Sequence, residues 1–272
     1  MAANKLGICE WSLPVEGPYA CRLASEIGFE GIQLDVGPYE KGFPKSRSFL
    51  QKAYMHMGKE YGIEFPSMAA RVSDYYSMVS EPGSREHEIV KSGIAAAIDA
   101  CGAMSIPRVL IPNFEKSAIR TDRHFDIAVE VIRWACDLAS DKGVTILPEN
   151  TLSENRFRAL VKAVDRKNIG LYFDFQNYYL HNDDNTPELL KNVIDLVQET
   201  HVKDGRNKDL SGALLGTGAV HFEKSVKVLK DHGYTGWIVS ENYYDMEPLC
   251  GPSDDPLDLM KKDLDTLKKL FG

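Results

Sequence analysis

The stretch IGLYFDF (residues 169–175) is an unbroken apolar and aromatic run except for one carboxylate, Asp174. A strand that is apolar throughout is typical of a parallel sheet covered by helices, because both of its faces are buried. An ionised carboxylate in such a strand costs free energy unless a cation or hydrogen bonds compensate its charge. The stretch therefore predicts a buried parallel strand in which Asp174 has a partner.

Seven further short apolar runs alternate with longer amphipathic segments. The runs are LGICEWSL (6–13), GIQLDVG (31–37), IEFPSMAA (63–70), RVLIPNF (108–114), VTILPEN (144–150), ETHVKD (199–204) and GWIVSEN (236–242). The predicted helices span 18–28, 46–61, 84–103, 121–142, 153–166, 186–196, 220–232 and 256–271. Eight strand–helix units predict a closed (β/α)8 TIM barrel, and we expect residues 1–272 to form a single domain. An open doubly wound sheet is the alternative, but its Gly-rich loop after the first strand is absent.

Composition and charge narrow the class of protein. The chain is 43% hydrophobic with a net charge of −8, so we expect no nucleic-acid partner. It has no apolar run of about 18 residues, which predicts no membrane span. The first residues lack the features of a signal peptide. The five scattered cysteines form no C-x-x-C pair, which predicts neither a disulfide framework nor a thiolate zinc site. Together these features favour a cytoplasmic enzyme.

Four consecutive predicted strands end in residues that bind metal ions: Glu149, Asp174, His201 and Glu241. The chemistry of such barrels sits at the C-terminal ends of the strands. Any one of these residues alone could be a helix cap or a core histidine, but their coincidence on four neighbouring strands favours a shared site. Three carboxylates and one imidazole form a mostly oxygen donor set. It suits one divalent ion, Mn²⁺, Mg²⁺ or Co²⁺, with Zn²⁺ as an alternative.

The context of these four residues resembles the xylose-isomerase-like superfamily of sugar and sugar-phosphate isomerases and epimerases. The similar motifs are ILPEN (146–150), YFDFQN (172–177), THVKD (200–204), GTGAVHF (216–222) and IVSEN (238–242). The resemblance covers nearly the whole chain as strand–helix order and is sharpest from Thr145 to Asn242. It implies that Glu149, Asp174, His201 and Glu241 hold the metal ion.

The residue three positions after Asp174 bears on the branch of the family. Free-ketose 3-epimerases often have a histidine there, whereas this chain has Asn177. The Asp-x-x-Asn pattern is more similar to the pentulose-5-phosphate 3-epimerase branch. An asparagine can hydrogen-bond a substrate but cannot shuttle a proton.

The resemblance implies an isomerase that moves protons through an enediolate of a sugar or sugar phosphate. Glu149 and Glu241 would be the acid–base pair, because they approach the sugar from different strands. The same residues support a ketose 3-epimerase and an aldose–ketose isomerase, so the sequence does not choose between them. A metal-dependent lyase on a 3-keto sugar or glycoside, and a non-catalytic metal-binding barrel homologue, remain alternatives.

Five residues are further candidates for substrate binding: Asn177, Arg206, Trp11, Glu10 and Arg71. Arg206 resembles an arginine of the family that binds substrate oxygens, and Arg71 is a candidate anchor for a phosphate or carboxylate. Trp11 could form an apolar wall for a sugar. The expected partner is a small molecule, and a homo-oligomer is left open. The apurinic endonucleases of the same superfamily need additional histidines, whereas here strand two ends in Asp35.

Overall fold

Eight parallel strands form a nearly closed barrel in the computed structural model, which describes residues 4–182 and 185–272. The strands lie in the order β5-β4-β3-β2-β1-β8-β7-β6. Their bounds are β1 Leu6–Cys9, β2 Gly31–Asp35, β3 Met68–Ala69, β4 Arg108–Pro112, β5 Thr145–Glu149, β6 Leu171–Asp174, β7 Val197–Val202 and β8 Ile238–Ser240. The predicted fold class is confirmed.

Within residues 4–182 and 185–272, eight α-helices match the predicted segments, and two short ones were not predicted. The helices are α1 Ala20–Ile27, α2 Ser48–Tyr61, α3 Val72–Tyr75, α4 Arg85–Met104, α5 Asp122–Ser140, α6 Glu154–Val164, α7 Asn177–Asn182, α8 Thr186–Val193, α9 Phe222–Asp231 and α10 Pro256–Phe271. The short additional helices are α3 and α7. Among the helices of residues 4–182 and 185–272, none combines the length and apolar character needed to cross a membrane.

The described chain divides into two compact units. One comprises residues 4–33, 57–64, 173–182 and 185–272, and the other comprises residues 34–56 and 65–172. The boundaries between them fall inside β2, α2 and β6, and in the connection between α2 and β3. A single domain over residues 1–272 stays a prediction.

In the first unit, β1 lies between β2 and β8, and β7 pairs with β8. Gly31 on β2 allows the ring of Trp237 to approach the strand, because a Cβ atom at this position would lie 2.6 Å from that ring. Successive side chains on a strand point to opposite faces. On β7 this places Glu199 and His201 on the same face, and both are fully buried.

In the second unit, β4 and β5 pair over their full length, from Arg108 and Thr145 to Pro112 and Glu149. Val109, Leu110 and Ile111 have no exposed surface, as expected for a strand covered on both faces. The backbone N–H of Asn113 donates to the carbonyl oxygen of Glu149 at 2.7 Å. This bond fixes the end of β5, whose last residue is Glu149.

Candidate metal centre

Asp174 ends β6 and lies three residues before the start of α7. Its Oδ1 atom accepts the backbone N–H groups of Gln176 at 2.7 Å and Asn177 at 2.6 Å. A carboxylate that accepts the first N–H groups of a helix stabilises its N-terminus. Its Oδ2 atom lies 3.1 Å from Nζ of Lys203. The charge of this buried carboxylate is therefore compensated on both oxygens.

His201 on β7 is held through one ring nitrogen. Nε2 lies 2.6 Å from Oε1 of Gln33 and 3.3 Å from Sγ of Cys9. The Cys9 thiol donates to the same amide oxygen at 3.4 Å. Because an amide oxygen only accepts, Nε2 carries the proton in the neutral imidazole, and Nδ1 presents a lone pair. Nδ1 lies 3.2 Å from Oε2 of Glu241 and 3.9 Å from Oδ2 of Asp174.

Glu241 follows β8 and is held at both carboxylate oxygens. The indole Nε1 of Trp11 donates to Oε1 at 3.1 Å, and Nζ of Lys203 donates to Oε2 at 2.5 Å. Burial raises the pKa of the Glu241 carboxyl, but the His201 imidazole in its protonated form and the Lys203 ammonium outweigh this effect and lower that pKa well below its usual range. The Trp11 ring also meets the His201 ring edge-on, with 6.0 Å between centroids.

Three of the predicted ligands form a group within the first unit that could hold a metal ion. One ligand atom from each of Asp174, His201 and Glu241 lies within 4.8 Å of the other two, and all three residues are buried. Glu149 ends β5 in the second unit and is also buried. Oxygen and nitrogen ligands sit roughly 2.0–2.2 Å from a divalent ion such as zinc, so two ligands of one ion are typically about 3–4 Å apart. The distances from Nδ1 of His201 to the two carboxylates match this spacing. The donor set therefore fits one divalent cation.

Cys9 belongs to a second such group with His201 and Glu241. Burial raises the pKa of the Cys9 thiol to about 12. The metal ligand is the thiolate and not the thiol, so binding of a metal ion by Cys9 would require loss of this proton. Its contact with Gln33 gives it a role in holding the amide that orients His201. All five cysteines are free thiols in the structure.

The candidate substrate-binding residues differ in their surroundings. Trp11 contacts the ligand Glu241, and Asn177 begins α7 beside Asp174. Glu10 follows β1 and is buried. The Arg206 guanidinium is exposed and donates to the carbonyl oxygen and hydroxyl of Thr217. Arg71 precedes α3, and its Nε atom lies 3.3 Å from Oδ2 of Asp74. Their roles toward a substrate stay predictions.

Gln33, Cys9 and Lys203 are the residues of this centre that the sequence did not single out as site residues. Lys203 had a usable signal, since it lies two positions after His201 on an extended segment and so shares its face. Gln33 is a polar residue inside a buried strand. Neither feature of the sequence predicts which atom the side chain contacts.

The Gly-rich loop after β7 is organised around Asp204. The carboxylate accepts the backbone N–H groups of Gly205, Gly216 and Gly218 at 2.9–3.0 Å, and that of Val220 at 3.4 Å. A Cβ atom at Gly218 would lie 2.0 Å from Oδ1 of Asp204, so only glycine allows this approach. Because Asp204 takes up these N–H groups, they are not available to cradle a phosphate.

Asp204→Ala is expected to lower the free energy of unfolding by about 3–5 kcal/mol. Several backbone donors would lose a charged acceptor, and each such bond contributes roughly 1.5–3 kcal/mol before the loop relaxes. Urea unfolding measures the change. Asp231→Ala on α9, where the aspartate is exposed, is the matched control and should stay within about 0.5 kcal/mol of the parent. An Asp204 variant as stable as this control would contradict the structural role.

The family of this chain is established by comparison with known proteins. The family model of the xylose isomerase-like TIM barrel matches residues 21–270. The chain therefore belongs to the xylose isomerase-like TIM barrel family, which confirms the resemblance seen in its motifs.

Two relatives and one solved structure show what the chain is similar to. The 2-epi-5-epi-valiolone 7-phosphate 2-epimerase of Actinoplanes sp. is 27% identical over 228 residues, 83% of this chain and 82% of that protein. The L-ribulose-5-phosphate 3-epimerase UlaE of Salmonella heidelberg is 24% identical, over 75% of this chain and 85% of that protein. The crystal structure of the IOLI protein with a binding zinc atom superposes with a TM-score of 0.78 at 16% identity, covering 98% of both chains.

Proposed function

We propose that this protein is a divalent-metal-dependent epimerase or isomerase that acts on a sugar or sugar phosphate by proton transfer through an enediolate. The observation that carries the proposal is the arrangement around Nδ1 of His201. In the neutral imidazole its lone pair faces carboxylate oxygens of Glu241 and Asp174 at 3.2 and 3.9 Å. Acceptors that face each other in a buried place repel unless a cation compensates them. The Lys203 ammonium does so for the two carboxylates, and a divalent ion bound by all three atoms would do so for the whole group.

Glu149, Asp174, His201 and Glu241 hold the ion in this proposal. The donor set of three carboxylates and one imidazole supports Mn²⁺, Mg²⁺ or Co²⁺, and the zinc atom of the IOLI structure supports Zn²⁺ as the alternative. When bound, the ion polarises the substrate carbonyl and stabilises the negative charge of the enediolate. Asp174 and His201 serve only to hold the ion.

Glu149 and Glu241 exchange the protons. Each is a glutamate, whose arm is long enough to reach both an ion and a carbon-bound hydrogen of the substrate. Trp11 and Lys203 hold the Glu241 carboxylate in one orientation, which suits a group that must meet one hydrogen. Removal of a proton on one face and return on the other inverts the carbon, whereas return to the neighbouring carbon gives an isomerase.

The substrate is a small polyhydroxylated carbonyl compound. Two relatives named as epimerases of phosphorylated compounds support this class and favour epimerisation. Trp11, Glu10, Asn177, Arg206 and Arg71 are the residues proposed to contact it. The five free thiols support a reducing compartment such as the cytoplasm. We propose no nucleic-acid partner, and an assembly of several copies stays open.

Solvent isotope exchange tests the function. We expect the Mn²⁺-loaded protein in D₂O to incorporate deuterium next to the carbonyl of at least one member of a panel of ketoses, ketose 5-phosphates and cyclitol ketones. Deuterium at an inverted carbon indicates an epimerase, and deuterium at the former carbonyl carbon indicates an isomerase. Loss of water would identify the lyase instead. A panel without any exchange, despite bound metal, would favour the non-catalytic barrel. Glu223→Gln on α9, an exposed glutamate, is the matched control and should exchange like the parent.

A further inference from the structure

Lys203 lies inside the metal-ligand group, although its charge has the same sign as that of the ion. Only 3% of the residue is exposed. Its Nζ atom lies 2.5 Å from Oε2 of Glu241 and 3.1 Å from Oδ2 of Asp174. These are the same two oxygens that Nδ1 of His201 faces. The ammonium group therefore bridges two of the oxygens that a metal ion would use.

The position of this ammonium has two energetic consequences. Two buried carboxylates without a counter-charge are strongly destabilising, so Lys203 stabilises the pair when no ion is bound. A divalent ion held by the same oxygens would lie within a few ångströms of Nζ. The two cations would then repel each other, and this repulsion weakens the binding of the ion.

We propose that Lys203 is an internal counter-cation that holds Asp174 and Glu241 together in the metal-free protein and competes with the divalent ion for their charge. This inference rests on the metal site of the proposed function. Lys203 is a positioning residue in this role, because it acts through the two ligands. The barrel then keeps its ligands in place before metal binds, and its metal affinity is lower than the carboxylates alone would give.

Lys203→Met tests the proposal because it keeps most of the side-chain volume and removes the charge. In protein freed of metal by EDTA and dialysed, we expect the melting temperature to fall by about 10 °C, as breaking a buried ion pair does in a protein of this size. In a calorimetric titration with Mn²⁺ alone, we expect the dissociation constant to fall about tenfold or more. The rise in melting temperature on adding Mn²⁺ should be larger than in the parent.

Lys227→Met is the matched control, because Lys227 is an exposed lysine on α9 that pairs with Asp231. It should change neither the metal-free melting temperature nor Mn²⁺ binding. If Lys203→Met does not fold without metal, the double variant Lys203→Met with Glu241→Gln should fold, since it removes one carboxylate together with its counter-charge. Failure of the double variant to fold would count against the proposal.

Two outcomes separate this inference from the proposed function. If the parent binds Mn²⁺ and Lys203→Met binds it equally or more weakly, the inference is wrong and the metal site stands. If the parent itself binds no divalent ion, both the metal-dependent function and the inference are wrong. A Lys203→Met protein that is as stable as Lys227→Met without metal would also overturn the inference.

Discussion

Glu241→Gln is expected to lower the turnover number by a factor of at least about 10²–10⁴, the usual contribution of a positioned general base. The amide keeps an oxygen that can accept from Trp11 and bind a metal ion weakly, but it cannot take up a proton at neutral pH. The effect should therefore persist at saturating Mn²⁺, where the loss of metal affinity no longer contributes. Steady-state kinetics on the substrate found by isotope exchange measures it.

Two further variants make this result specific. Glu223→Gln carries the same chemical change on the exposed surface of α9 and should leave turnover unchanged. Glu149→Gln should also abolish turnover, but the two glutamate variants should differ in isotope exchange, because loss of the reprotonating acid alone can leave exchange on the other face intact. Turnover of Glu241→Gln within about threefold of the parent, with metal saturating, would rule out the two-glutamate mechanism.

Asp174→Asn is expected to raise the dissociation constant for Mn²⁺ by at least about a hundredfold. Changes to residues that only orient a metal ligand typically cost 10–100-fold in affinity, so the loss of a charged ligand should exceed that range. The asparagine oxygen can still accept the N–H groups of Gln176 and Asn177, so α7 should stay folded. Calorimetric titration with Mn²⁺ measures the affinity, and circular dichroism checks the fold.

Gln33→Leu is the variant whose loss of Mn²⁺ affinity is compared with that of Asp174→Asn. It leaves every proposed ligand in place but removes the oxygen that accepts from Nε2 of His201. We expect a loss of metal affinity of about 10–100-fold, smaller than that of Asp174→Asn. An Asp174→Asn protein that binds Mn²⁺ within about threefold of the parent would show that Asp174 only caps α7.

The order of strands and helices could be read from local patterns, but their ends could not. The strand predicted at 63–70 is only Met68–Ala69 in the structure, because Pro66 has no N–H for the ladder between strands. The strand predicted at 6–13 ends at Cys9, and the chain then forms a turn of 3-10 helix through Ser12. Helix α7 was not predicted, because no run of apolar residues marks it in the sequence. Its first N–H group, that of Asn177, donates to the side chain of Asp174.

The sequence by itself determined the eight strand–helix units and the presence of a ligand-type residue at the end of each of the last four strands. Hydrophobic periodicity and the C-terminal position of polar residues are local properties, and a parallel barrel collects those ends at one mouth. Only the tertiary structure decided which atoms meet there. Gln33 and His201 are 168 residues apart in the chain, and Trp11 and Glu241 are 230 apart. No local pattern encodes such contacts, because they depend on strand pairing and register. For the same physical reason, the place of Lys203 between two carboxylates became visible only in the folded protein.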